Sequence, residues 1–166
     1  MSESTEGYLS KEITGKDVFY IITQKFDKDA KYDISIDPHD NTEMGKIYFK
    51  DGNDNRGIFY CVGEGTEGIE HKEGEQYSCL ILGNWGNSVK IMTEIIKCFG
   101  GYIKENDCDD NTLPYYIPKD KNFKYDRYVE ERNRIINVLS SELSEKDKIQ
   151  ISQEILKHRK EIKEIL

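Results

Sequence analysis

Residues 83–111 read GNWGNSVKIMTEIIKCFGGYIKENDCDDN, and this run decides the fold. Trp85, Val89, Met92, Ile96 and Phe99 recur at helical spacing, while Asn87, Lys90, Glu94 and Lys97 take the opposite side. A second apolar line, Ile91, Ile95 and Cys98, widens the face that can be buried. Asn84 stands where its side chain can accept a hydrogen bond from a first-turn amide. Gly100 or Gly101 can adopt the left-handed conformation that stops a helix. The spacing therefore predicts a helix over 85–99 packed closely on a sheet, then a short strand, then an acidic turn. Trp85 reads as a core anchor; the other reading is a ligand-stacking ring at the mouth of a pocket.

Working outward, residues 17–25 (DVFYIITQK) are apolar on both alternations, which predicts an interior strand. Residues 31–36 alternate, with Ile34 and Ile36 on one face and Asp33 and Ser35 on the other. Residues 46–50 and 57–62 flank DGNDNRG and predict a hairpin. Residues 76–82 (QYSCLIL) give a further strand that enters the helix through Gly83. Tyr102 and Ile103 begin another, with which residues 115–117 pair back across the acidic turn. Residues 1–16 are polar and read as loose. Strands in series predict an antiparallel meander.

Beyond Pro118 the chain becomes charge and tyrosine, KDKNFKYDRYVEERNR, followed by two helical patterns of low hydrophobicity. The expected fold is α+β: an antiparallel sheet of five to seven strands with one helix packed on a face, plus two C-terminal helices. The expected division is an acidic domain over 1–118 and a charged helical tail over 119–166, through which two copies could pair.

The chain has 166 residues, enough for one domain with a real core. Its 36% hydrophobic and 34% charged residues make it polar for a globular protein but short of a disordered one. No apolar run reaches a membrane span, and the N-terminus has no basic-then-apolar signal, so the expected compartment is the reducing cytoplasm. Cys61 and Cys79 fall in strand-like runs and Cys98 beside the apolar stripe, where free cysteine behaves as a small hydrophobe. No pair is spaced C-x-x-C, which argues against structural zinc. Cys108 has acidic neighbours that raise a thiol pKa, the wrong direction for a nucleophile. Residues 1–118 hold 22 Asp and Glu against 12 Lys and Arg. That field repels nucleic acid and anionic lipid and attracts a basic partner.

Three segments carry chemistry-bearing patterns. GEGTEG at 63–68 follows a strand as a dinucleotide fingerprint would, but no apolar helix follows it, and Glu64 and Glu67 would oppose a pyrophosphate; it reads as an acidic loop. DGNDN at 51–55 and DCDDN at 107–111 imitate the start of an EF-hand loop. Both lack its sixth-place glycine and closing glutamate, so exposed turns are expected and no metal, the alternative being a weak divalent-ion site at Asp107, Asp109 and Asp110. DPHDN at 37–41 is where histidine meets carboxylates: Asp37, His39 and Asp40 could hold a metal, or His39 could act as a general base. The same residues also make an ordinary exit from a strand.

The run WGNSVKIMTEIIKCFGGYIKENDCDD, behind a strand-rich first half, resembles small uncharacterised bacterial α+β proteins, some of which serve as immunity proteins in toxin systems. The resemblance covers residues 17–117 and rests on a helix, a glycine pair and an acidic turn. It transfers no catalytic residue and does not extend to the tail. The expected function is non-enzymatic: an acidic surface of Glu105, Asp107, Asp109, Asp110 and Trp85 recognises a basic protein partner, as an immunity protein would recognise a toxin. No cofactor is expected. The alternative is a small metal-dependent hydrolase centred on Asp37, His39 and Asp40.

Overall fold

The computed structural model describes residues 3–69, 75–123, 150 and 153. The chain divides into two compact units, Met1–Phe123 and Lys124–Leu166. Apart from the helical Gln150 and Gln153, the two expected C-terminal helices lie outside the described residues, as does His71.

The first unit is an α+β domain. Its elements in order are β1 (Ser4–Ser10), α1 (Gly15–Lys25), β2 (Lys31–Ile36), β3 (Glu43–Asp51), β4 (Asp54–Glu64), β5 (Gln76–Gly83), α2 (Ser88–Ile96), β6 (Gly101–Lys104) and β7 (Tyr115–Ile117). The seven strands form one sheet in the order β2-β3-β4-β5-β1-β6-β7. Every neighbouring pair is antiparallel. The expected hairpin is β3–β4, closed by Asp51 opposite Asp54.

Register sorts the strand residues onto two faces. One row runs Tyr32, Ile47, Ile58, Leu82, Thr5. The next runs Gly45, Tyr60, Leu80, Gly7, Ile103. Both helices cover this face. Phe19 of α1 stacks on Tyr32 at 5.7 Å, and α2 presses on β1. A Cβ at Gly7 would lie 2.6 Å from Met92 Sδ and 2.9 Å from Ile96 Cδ1. Lys25 and Glu94, 3.3 Å apart, join the two helices. The core between helices and sheet includes fully buried Ile21, Ile22, Ile47, Ile58, Leu80, Leu82, Ile91, Met92, Ile95 and Ile96.

Residues 17–25 are helix, not the interior strand their composition suggests. Thr14 and Asp17 make a capping box: the Asp17 amide donates to Thr14 Oγ1 at 3.2 Å, and the Thr14 amide donates to Asp17 Oδ2 at 2.9 Å. Val18 to Ile22 are all buried. A helix turned toward both the sheet and a neighbouring helix is apolar on most sides, which imitates a buried strand.

The N-terminal segment is not loose. Residues 4–10 are β1, an interior strand between β5 and β6.

The long helix also starts later than its spacing suggests. It begins at Ser88, and the cap position falls to Asn87, which makes no side-chain cap bond. Asn84 is not the cap; its Oδ1 accepts from the Thr5 and Ser88 hydroxyls at 3.1 and 3.3 Å. Trp85 is not a core anchor, being 51% exposed. The buried stripe is Ser88, Ile91, Met92, Ile95 and Ile96, followed by Cys98, with Val89 and Phe99 only half-buried. Gly100, at φ 80, supplies the left-handed stop. The Asp120 amide then donates to the Lys97 carbonyl at 2.7 Å, so residues 119–123 return to the end of α2.

Candidate functional site

One end of the sheet gathers most of the expected interface. Thr5 Oγ1 lies 3.1 Å from Asn84 Oδ1, 3.0 Å from Ser88 Oγ and 3.0 Å from the Glu105 carbonyl. The Asn84 amide donates to the Glu3 carbonyl at 3.0 Å, and the Asp107 amide to the Ser4 carbonyl at 2.9 Å. The first residues of β1 therefore tie the Trp85 segment to the acidic turn, two regions separated in sequence by the whole of α2.

Trp85 is held from beneath. The Arg56 guanidinium carbon is 3.7 Å from the centre of the indole. Its Nη1 donates to the Trp85 carbonyl and its Nη2 to the Gly83 carbonyl, each at 3.1 Å. Arg56 is only 4% exposed. Burial pulls its pKa down from the ordinary value, while the Asp51 and Asp54 carboxylates oppose that shift and favour the charged form. Among the described residues the buried Arg56 Nε finds no hydrogen-bond partner, so the ring face above it carries part of the compensation for a buried cation.

The four turn carboxylates do different things. Asp107 Oδ1 accepts from the Ser4 amide at 2.6 Å, which makes Asp107 a strut. Asp109 Oδ1 accepts from the Asn111 amide at 2.9 Å; that amide, then the Thr112 hydroxyl, hold its carboxyl below the usual range. Glu105 Oε1 accepts from the exposed Tyr115 hydroxyl at 2.8 Å. Burial, then this hydrogen bond, pushes the Tyr115 phenol up to about 12. Asp110 is exposed. The arrangement presents negative charge at a fixed surface instead of converging oxygens on one point.

The Asp37–His39–Asp40 segment is the β2–β3 turn. Asp37 Oδ1 accepts from the His39 amide at 2.9 Å. Asp40 Oδ1 accepts from the Thr42 amide at 3.0 Å and the Thr42 hydroxyl at 2.6 Å. The Thr42 hydroxyl, then its amide, holds the Asp40 carboxyl low. Both aspartates thus close their own turn, with His39 exposed between them. Among the described residues no three His, Cys, Asp or Glu side chains are grouped to hold a metal ion. GEGTEG leaves β4 into the loop toward antiparallel β5, so no phosphate-binding strand–turn–helix unit forms there.

The sheet face away from the helices carries residues that sequence reading did not assign. One register row crosses five strands as Cys61, Cys79, Tyr8, Tyr102 and Tyr116. Tyr8 donates to the Glu6 carboxylate, and burial, then that bond, pushes its phenol above the ordinary range. At the end of the sheet opposite Trp85, Tyr8, Tyr77, Tyr102 and Tyr116 line an open cleft of about 520 Å³. Each of β1, β5 and β6 carries a single tyrosine, Tyr8, Tyr77 and Tyr102, so no pattern within a strand marked this face; only the register brings them together.

No family model, curated protein or solved structure matches the chain. Among the described residues no helix is long and apolar enough to cross a membrane.

Proposed function

We propose that this chain is a non-enzymatic binding protein that recognises a basic protein partner through the acidic, tryptophan-bearing end of its sheet. The observation that carries this reading is Trp85: a large, half-exposed ring fixed by a buried arginine, on a segment tied to the acidic turn through Thr5. A rigid aromatic loses little conformational freedom on binding, which is why tryptophan is frequent at binding hot spots. The surrounding carboxylates would speed encounter with a cationic surface and reject anionic ones. The partner class favoured by the sequence resemblance is a basic toxin, which the chain would neutralise as an immunity protein in the cytoplasm.

A photo-cross-linking residue at exposed position 110, which leaves Trp85 in place, tests this reading in the native host. The captured protein should carry a basic surface, and purified partner should bind the wild-type chain with a rate that falls steeply with salt. Trp85→Ala should weaken binding at least about tenfold. Neutralising Glu105, Asp109 and Asp110 together should mainly slow association. An acidic partner, or one indifferent to both changes, would remove the reading.

A further inference from the structure

We propose that Cys61 and Cys79 form a redox-modification site, a cross-strand dithiol that small-molecule disulfides convert to an intramolecular disulfide. The proposal is independent of the binding function above. Cys61 on β4 and Cys79 on β5 are direct register partners on adjacent antiparallel strands. They therefore share the face away from the helices. Directly opposed residues in such a ladder have Cα atoms about 4.5 or 5.5 Å apart, within the roughly 4.4–6.8 Å span of disulfides. Their pairing in register thus meets the Cα separation that a disulfide requires.

The Cys79 thiol donates to the Tyr77 carbonyl of its own strand at 3.6 Å. Interaction with Cys79 lowers the Cys61 pKa, outweighing the opposing effect of burial. Cys79 is shifted the other way, first by Cys61 and then by burial. Cys79 is 8% exposed and Cys61 half-buried. These differences assign the roles: Cys61 attacks and Cys79 resolves. Cys98 is buried behind the helix stripe, where burial raises its thiol pKa. Cys108 is exposed, but its pKa is also raised, first by desolvation and then by Asp107 through a hydrogen bond and its charge.

The exchange balances without a metal or cofactor. The Cys61 thiolate attacks one sulfur of a small disulfide such as oxidised glutathione, breaking its S–S bond and releasing one thiolate. Cys79 gives up its proton, through solvent, to that leaving thiolate. The Cys79 sulfur then attacks Cys61 Sγ, closing the protein disulfide and releasing the second thiolate, which takes the proton Cys61 had lost. Two protein thiols are oxidised, and one small disulfide is reduced to two thiols. The new bond would staple β4 to β5 at the base of the Glu64- and Glu67-bearing loop.

The test uses the full native chain equilibrated with oxidised and reduced glutathione, then acid-quenched and alkylated. Alkylated cysteines should fall from four to two, with no retained glutathione and a linked Cys61–Cys79 peptide in the digest. Cys79→Ser should stop at a mixed disulfide on Cys61, whereas Cys98→Ser and Cys108→Ser should still close the bond. Because the primary readout is on the unaltered chain, misfolding of a variant does not blur it. Four alkylated cysteines throughout, glutathione retained on Cys108 alone, or a link involving Cys98 or Cys108 would overturn the proposal.

Discussion

The Arg56 guanidinium lies beneath the Trp85 ring, with its carbon 3.7 Å from the ring centre. The cation is the buried partner and the aromatic ring the exposed one. Arg56 also closes the chain reversal between β5 and α2 by binding the Gly83 and Trp85 carbonyls. Fold and candidate interface thus depend on one side chain.

Arg56→Ala should accordingly cost about 2–4 kcal/mol, since it unpairs two carbonyls and empties a buried position. Trp85→Ala should cost only about 1 kcal/mol, chiefly the lost cation–ring contact. Trp85 is the only tryptophan in the chain, so its emission should shift to the red in Arg56→Ala. Urea titrations followed by circular dichroism give the two costs. A greater loss in Trp85→Ala than in Arg56→Ala would invert the assignment of support and supported.

Gly7 sets how closely α2 approaches β1. Gly7→Val should cost about 1–3 kcal/mol by pushing on Met92 and Ile96. Because Met92 Sδ would lie 2.6 Å from an added Cβ, Gly7→Ala and Met92→Ala should couple in a double-mutant cycle, the double variant losing less than the sum. Strict additivity would mean that α2 rides higher on the sheet than described.

That packing explains why β1 was hidden in the sequence. Its helix-facing residues are Thr5, Gly7 and Leu9. Two are small or polar because α2 comes so close, so STEGYLS lacks the apolar alternation that marked β2. The capping signature Thr14-x-x-Asp17 stood in the sequence but was passed over for the strand-like composition of α1. Trp85 misled differently: as a large apolar residue in phase with Met92 it extended the stripe, although the chain does not become helical until Ser88. The acidic turn was legible as a turn. Its link to Trp85 was not, because it runs through Thr5, some eighty residues earlier than Asn84 in the chain.

Residues 119–123 belong with the first unit, so where a shortened chain ends should matter. Asp120 caps the Lys97 carbonyl at 2.7 Å, and Lys25 Nζ lies 4.9 Å from the centre of the Phe123 ring. A chain ending at Phe123 should unfold cooperatively by near-ultraviolet circular dichroism. One ending at Pro118 should lose about 1–2 kcal/mol relative to it, from a lost carbonyl partner and a lost ring contact. Equal stability would show that the return segment does not support α2.

Glu94 should set a pH dependence at the junction of the helices. Lys97 first, and Lys25 after it, hold its carboxyl below the usual glutamate range. A carboxyl with a lowered folded pKa stabilises above its unfolded pKa, and that contribution is lost as pH falls through the folded value. Its side chain is 33% exposed, so solvent screening should keep the effect below about 1 kcal/mol. Glu94→Gln should flatten the acid limb of the stability profile. Lys97 is raised by the same partner, so the variant should also flatten the alkaline limb. An unchanged profile on both sides would mean that these ion pairs do not persist in solution.

The acidic turn should separate into structural and surface carboxylates. Asp107 and Ser4 exchange two hydrogen bonds, one through the Asp107 side chain and one through its amide. Asp107→Ala should therefore cost about 1–2 kcal/mol by leaving the Ser4 amide without its acceptor, whereas Asp107→Asn, which keeps an acceptor oxygen, should recover much of that. Asp109→Asn and Asp110→Asn should leave the melting temperature unchanged, since Asn can close the same turn. Calcium and magnesium should not raise the melting temperature of the native chain, because Asp107 and Asp109 direct oxygens at different amides and the loop lacks the glycine and closing glutamate of a tight site. Micromolar calcium binding by calorimetry, lost in Asp109→Asn and Asp110→Asn, would instead make this turn a metal site.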